Sequence, residues 1–275
     1  DKAQGLALLC SATAKSDLVV EIAELEGLAG IKPGIVPCRV VKIERPSADV
    51  AVLDLRLPMN ENMRFLAGQY VDFLLKDGKR RSYSIACKPS AEGVSHIELH
   101  IRHVPGGHFT DRLFDGGVKE REVMRFEGPL GSFYLREDSD KPIIFLASGT
   151  GFAPIKAIIE HAIKRDIRRP MTLYWGGRRP GDLYLHTLAA QWAADHAHIR
   201  YVPVISNALP EDQWQGRSGF VHHAVMQDFP DLSGHQVYAC GVPVMVDSAQ
   251  KDFMAQCKLP EAEFFADSFT TAADK

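Results

Sequence analysis

At 275 residues the chain is long enough for two domains, each able to bury a core of its own. Its 45% hydrophobic and 24% charged residues are those of a soluble globular protein, and 32 basic against 35 acidic side chains leave a formal −3, which gives no reason to expect nucleic acid or an anionic membrane as partner. The longest apolar runs, 6–9 and 143–147, fall far short of the roughly 20 residues a membrane span needs, and no secretory leader is expected.

The first 30 residues read as two short strands, Ala7–Cys10 and Asp17–Ile22, and Gly27–Gly34 follows as a linker. Taken alone they fit a plain hairpin with a buried cysteine. Cysteines at 10, 38, 87, 240 and 257 contain no Cys-x-x-Cys pair, so a reducing cytoplasm is the expected setting. The chain as it stands cannot build an iron–sulfur cluster or a structural zinc site from clustered thiolates.

From Ile35 to Glu137 strand follows strand. Cys38–Ile43, Val50–Leu55 and Tyr70–Leu74 mix alternation with apolar runs, His96–Ile101 alternates cleanly, and turn signals at 45–49 and 76–78 separate them. Many short strands at this spacing predict an antiparallel barrel. One predicted strand ends in Arg81-Ser82-Tyr83-Ser84. Residues two apart share a face, so Arg81 and Tyr83 point one way and Ser82 and Ser84 the other. A guanidinium suits a phosphate, a phenol a flat ring, and a hydroxyl a ring nitrogen. By itself the tetrapeptide is a weak signal, since most such runs are ordinary strand. Gly106-Gly107-His108-Phe109-Thr110 opens a short helix, Asp111–Phe114. It is either a pyrophosphate cradle at a helix N-terminus or a Gly-Gly turn with a Thr cap, and His108 reads as a solvated turn residue.

After Asp138 the period changes. Apolar strand Ile143–Ala147 leads through Gly149-Thr150-Gly151-Phe152-Ala153-Pro154 into a helix that buries Ile155, Ile158, Ile159, Ala162 and Ile163, with Pro154 in its first turn. Strand Met171–Trp175, helix Leu183–His196, strand Ile199–Ile205, helix Gly219–Asp228, strand Gln236–Cys240 and helix Pro243–Cys257 follow. Alternating strands and helices predict a doubly wound parallel sheet, which binds nucleotides where its strands end. Gly149–Pro154 lacks the full Gly-x-Gly-x-x-Gly pattern. Arg178 is a candidate for ribose or phosphate. Cys240, followed by Gly241, either faces a bound ring or is a small buried hydrophobe.

In chain order, Arg-x-Tyr-Ser, Gly-Gly-x-x-Thr, Gly-Pro-x-Gly-x-Phe (Gly128–Phe133), Gly-Thr-Gly-x-Ala-Pro and Cys-Gly-x-Pro-x-Met resemble the ferredoxin–NADP reductase superfamily over residues 35–269. Within it the chain is similar to bacterial reductases that join a plant-type ferredoxin domain to a flavin–nicotinamide module. These include oxygenase reductases and the CDP-6-deoxy-glucoseen reductase group, whose Phe-Phe-Ala-Asp-Ser-Phe ending is matched by Phe264–Phe269. The resemblance implies a ferredoxin remnant and linker over 1–34, with Cys10 the last cluster ligand only if the rest of that domain is present. It implies an FAD-binding Greek-key barrel over 35–137 and an NAD(P)-binding α/β domain over 138–275.

The resemblance also implies roles. Arg81 would bind FAD phosphate with Ser82 beside it, Tyr83 the flavin face, and Ser84 the N5 edge. His100, Ile101 and Arg102 would offer backbone contacts, and Gly106, Gly107, His108, Phe109 and Thr110 would cap the pyrophosphate. Gly149, Thr150, Gly151 and Pro154 would cradle the nicotinamide nucleotide, with Arg178 at its adenosine, Cys240 and Gly241 at its reactive carbon, and Phe269 as an aromatic lid followed here by Thr270–Lys275. The implied activity is hydride uptake from NADH, with NADPH open, and release of single electrons to a 2Fe–2S ferredoxin that feeds an oxygenase or a deoxysugar dehydratase. The 2Fe–2S centre belongs only to a longer native chain or a partner. A free-flavin reductase and a non-catalytic nucleotide-binding regulatory module are the rival expectations.

Overall fold

Strands that alternate apolar and polar residues bury one face, and the first half of the chain is built from such strands. The computed structural model describes residues 13–20 and 26–269. In it β1 (Gly34–Ser47), β2 (Val50–Arg56), β3 (Tyr70–Leu74), β4 (Arg80–Ser84), β5 (His96–Arg102) and β6 (Val123–Leu130) form one antiparallel sheet ordered β4-β3-β6-β1-β2-β5. A bridge between Ile85 and Leu99 joins the end of β4 to β5 and closes the sheet into a barrel. Leu53, Leu55, Phe73, Ile97, Leu99 and Phe126 fill its interior. The short helix α1 (His108–Phe114) plugs one end with Phe109 and Leu113.

The second half is a parallel sheet of β7 (Ile143–Ser148), β8 (Met171–Gly177), β9 (Ile199–Ile205), β10 (Arg217–Ser218), β11 (Gln236–Gly241) and β12 (Phe264–Ser268), ordered β10-β9-β8-β7-β11-β12. Strand β7 is buried on both faces. Phe145 and Ala147 pack toward α2 (Phe152–Lys164) and α3 (His186–Asp195), whereas Ile144 and Leu146 pack toward α4 (Val221–Asp228) and α5 (Pro243–Gln256). From β7 the chain winds outward through β8 and β9, then returns to place β11 on the other side of β7. The strand order reverses there, which opens a crevice at the C-terminal ends of β7 and β11.

Several expectations need correction. Residues 17–20 are not a strand: Leu18, Val19 and Val20 are exposed, and no described strand pairs with them. Ala7–Cys10, Cys10 itself, and Glu21–Ile22 lie outside the described residues. Helix α1 begins three residues early, at His108, because extended Gly107 is its N-cap. From inside the first turn the Thr110 hydroxyl bonds the carbonyls of Val104 (2.9 Å) and Gly107 (3.2 Å), so it staples the turn and is not the cap. Helix α3 starts at His186 and not at Leu183, because the Asp182 carboxylate accepts the amides of Arg178 and Arg179 and winds 180–182 into a 3₁₀ turn. Strands β6, β10 and β12 complete the two sheets beyond those individually read in the sequence.

Candidate active site

The β4–β5 wall of the barrel and the ends of β7, β8 and β11 line a common cavity of about 1050 Å³. On the barrel side Tyr83 rests edge-on against Phe73 (5.6 Å) and tilted against Phe109 (5.8 Å), so its ring is held from behind. Ser84, the next residue, is buried. On the opposite side Ser148, Gly149 and Thr150 carry the chain from β7 toward α2. That turn is fixed in place: the Trp175 indole donates to the Gly149 carbonyl (3.0 Å), and Phe152 stacks on Trp175 at 3.8 Å. Gly149 has φ +53, and a Cβ there would lie 2.6 Å from Nη1 of Arg102. Only glycine lets the barrel arginine come so close. Arg102 in turn pairs with Asp49 (2.6 Å) in its own domain and Asp182 (3.5 Å) in the other.

A buried polar clasp fixes how the two domains meet. Lys156 of α2, 7% exposed, donates to the Ala86 carbonyl (2.9 Å) and pairs with Glu98 of β5 (3.1 Å) and Glu160 (3.0 Å). His100, also on β5, lies 2.9 Å from Glu98 through Nε2 and 2.7 Å from the Tyr184 hydroxyl through Nδ1. Burial holds the Tyr184 phenol protonated well above its ordinary range and lowers His100. One arrangement satisfies every group: the Tyr184 O–H donates to neutral His100, and the His100 Nε2–H donates to Glu98. Burial alone would raise Glu98, but His100 and Lys156 outweigh it and bring the carboxyl down to about 2. Burial also opposes the Lys156 charge, yet the two glutamates hold its ammonium above the ordinary value.

The structure gathers Ser82, Tyr83, Ser84, His100, Arg102, Gly149, Thr150, Arg178 and Phe269 around the cavity. The remaining sequence candidates lie off its lining. Arg81 donates from Nη1 to the Arg80 carbonyl, and Ile101 and Phe109 are in the barrel core. Gly106, Gly107, His108 and Thr110 shape the α1 turn. Pro154 is buried in the first turn of α2. A Cβ on Gly151 would collide with the Cys240 carbonyl, and one on Gly241 would collide with Ser148. Cys240 is fully buried, and its thiol is pushed far up by burial and by Asp267, whose Oδ2 lies 4.0 Å away. Burial also raises the Asp267 carboxyl to about 6, a rise that the Ser84 hydroxyl partly offsets.

Sequence reasoning missed Glu98, Lys156, Tyr184 and Asp267. Only Lys156 left a signal, as a cation set among the apolar residues of α2. Of the paired arginines after β8, Arg179 is taken up by Asp212 (2.6 and 2.7 Å), which leaves Arg178 on the cavity wall.

A barrel with an aromatic-backed wall, set across a cavity from the switch point of a doubly wound sheet, defines a flavoprotein reductase that takes electrons from a nicotinamide nucleotide. The cavity fits that pair: it is roomy enough for two ring systems, with a braced aromatic face, a buried hydroxyl and a glycine-bared strand end on its walls. The family models for an oxidoreductase FAD-binding domain and an oxidoreductase NAD-binding domain match residues 37–134 and 145–251. The chain is 44% identical to Protein RfbI of Salmonella typhimurium over 96% of its own length and 77% of that protein's. It is 42% identical to the CDP-6-deoxy-L-threo-D-glycero-4-hexulose-3-dehydrase reductase of Yersinia pseudotuberculosis, over 98% of this chain and 79% of the relative. Among solved structures, an Amycolatopsis cytochrome P450 reductase, GcoB, superposes with a TM-score of 0.79 at 33% identity, covering 87% of this chain and 71% of that one. The chain belongs to the ferredoxin–NADP reductase superfamily and is an NAD(P)H-dependent flavoprotein oxidoreductase. No described helix is long and apolar enough to cross a membrane.

Proposed function

We propose that the protein oxidises NADH and delivers the electrons singly to a 2Fe–2S centre, on a longer form of this chain or on a partner protein, for the benefit of a nucleotide-deoxysugar dehydratase. At similar coverage the chain is 42% identical to a hexulose-3-dehydrase reductase and 35% to a terephthalate dioxygenase reductase component, which favours the dehydratase as acceptor over an oxygenase. FAD, when bound, supplies the conversion between a hydride pair and single electrons. The chain's own work is orientation and exclusion of water. Tyr83 would support the flavin's flat face, Ser84 would offer its hydroxyl at the N5 edge, and Arg81 would take phosphate. Gly149 and Thr150 would hold the nicotinamide half, with Arg178 toward the adenosine. Cys240 stays a protonated thiol in this arrangement and contributes by packing beneath the Gly149–Gly151 turn. Because Asp212 occupies Arg179, one guanidinium fewer is free for a 2′-phosphate, which favours NADH over NADPH.

The observation that carries this reading is the facing of Tyr83 and Ser84 toward Gly149 and Thr150 across one cavity. Anaerobic stopped-flow mixing with NADH tests it. The purified protein should keep FAD through gel filtration and bleach on mixing. Ser84→Ala should slow bleaching at least roughly ten-fold with FAD retained, as expected for loss of a hydrogen bond made during transfer. Unchanged bleaching removes Ser84 from the reaction, and loss of flavin on the column supports a free-flavin reductase instead.

A further inference from the structure

The far wall of the cavity carries a group of side chains that hydride transfer does not use. Helix α4 presents His222 and His223 in its first turn, and α5 brings Asp252 against them. One donor atom from each lies within 4.8 Å of the other two. His222 Nε2 stands 3.5 Å from Asp252 Oδ2, and the two imidazole centroids are 4.1 Å apart with their planes at 54°. For bonds of about 2.0–2.1 Å, the edge of a zinc tetrahedron is about 3.4 Å, close to that first spacing. His222 is buried and fixed, with Phe220 stacked across it, whereas His223 is exposed and free to swing the remaining distance.

We propose that His222, His223 and Asp252 form a site for a divalent cation of the zinc class, and that the bound ion competes with the dinucleotide for the cavity. Two imidazoles and one carboxylate are a borderline-soft donor set of the kind zinc accepts, and three protein ligands leave a fourth position open. All three residues line the cavity, so the open position faces the space a dinucleotide enters. The ion would therefore act as a brake on NADH oxidation set by free metal. The cation site follows from this local geometry alone. The competition rests on the reading that NADH occupies this cavity.

Equilibrium dialysis of the FAD-loaded protein against Co²⁺ and Zn²⁺ tests the site without reference to turnover. One equivalent per chain is expected, with the visible d–d absorption of bound Co²⁺ reporting imidazole and carboxylate ligation. Asp252→Asn and His223→Ala should each weaken binding by roughly ten-fold or more. His186→Ala, whose ring lies elsewhere against Tyr201, should not. Thermal unfolding of each variant verifies that it is folded. In steady state, Zn²⁺ should raise the KM for NADH without lowering kcat, and each variant, compared with itself without metal, should lose that rise. Absence of stoichiometric binding, or equal binding by Asp252→Asn, overturns the site. Binding with an unmoved KM overturns the competition. A protein that binds Co²⁺ as expected yet never oxidises NADH contradicts the reductase reading and leaves the metal site standing.

Discussion

Lys156→Met tests whether the clasp between the domains is a source of stability. Methionine keeps an unbranched apolar stem of similar length and deletes the ammonium, so little packing is lost. The deletion strands the Ala86 carbonyl and leaves Glu98 with His100 alone. A carboxyl held at about 2 against an ordinary 4.5 represents about 3 kcal/mol at about 1.4 kcal/mol per unit. Glu98 is one-third exposed, which screens this to about 2 kcal/mol, and His100 shares it with Lys156. About 1 kcal/mol therefore belongs to the Lys156–Glu98 pair. The Ala86 hydrogen bond and the Glu160 pair add about 1 kcal/mol each at most, so the variant should lose about 1–3 kcal/mol at pH 7. Because the folded carboxyl titrates below its unfolded value, its contribution is present above about pH 4.5 and fades as pH falls toward 2. Urea unfolding at several pH values reads both features. The gap between wild type and variant should be widest near neutrality and should narrow on acidification. Equal midpoints at pH 7, or a gap that stays constant down to pH 3, refutes the clasp.

Three further outcomes follow from the same geometry. Asp267 has the opposite sign: its folded carboxyl, raised to about 6, favours the fold below the unfolded value and loses that advantage as pH rises through 6. Asp267→Asn should flatten that part of a urea-midpoint profile and stabilise the protein above pH 6. Gly151→Ala drives a methyl group into the Cys240 carbonyl, where backbone has no room to yield, and should cost about 3 kcal/mol in thermal or urea unfolding. Asp212→Ala removes the main partner of the Arg179 guanidinium and leaves it only the more distant Glu211 (3.5 Å), so kcat/KM for NADPH should rise roughly ten-fold relative to NADH if a 2′-phosphate reaches it. Arg179→Ala, by contrast, should leave that preference unmoved.

The strands could be read because their signal is local. Tyr70–Leu74 and Ile199–Ile205 begin and end where the sequence pattern places them. Helix starts depend on which side chain reaches which amide, and nothing in the period of α3 shows that the Asp182 carboxylate will take two amides before it. The motif after β5 shows the same limit at the site. Gly106–Thr110 is compatible with a phosphate cradle, but whether its amides face a ligand depends on Phe109, which turns inward to fill the barrel. The Gly149–Thr150 turn could be placed because a switch point is a consequence of strand order, and strand order follows from alternating strands and helices. The clasp is the reverse case. Its members come from β5, the Ala86 segment, α2 and the Tyr184 turn, with His100 and Tyr184 bonded across 84 residues of chain. Each has an ordinary explanation in its own segment, and only the meeting of the barrel with the parallel-sheet half makes Lys156 a partner for Glu98. The residues that escaped the sequence reading are therefore those that hold one domain at a fixed distance from the other. That distance sets the width of the cavity, and a reductase that must bring two flat rings into contact depends on that width.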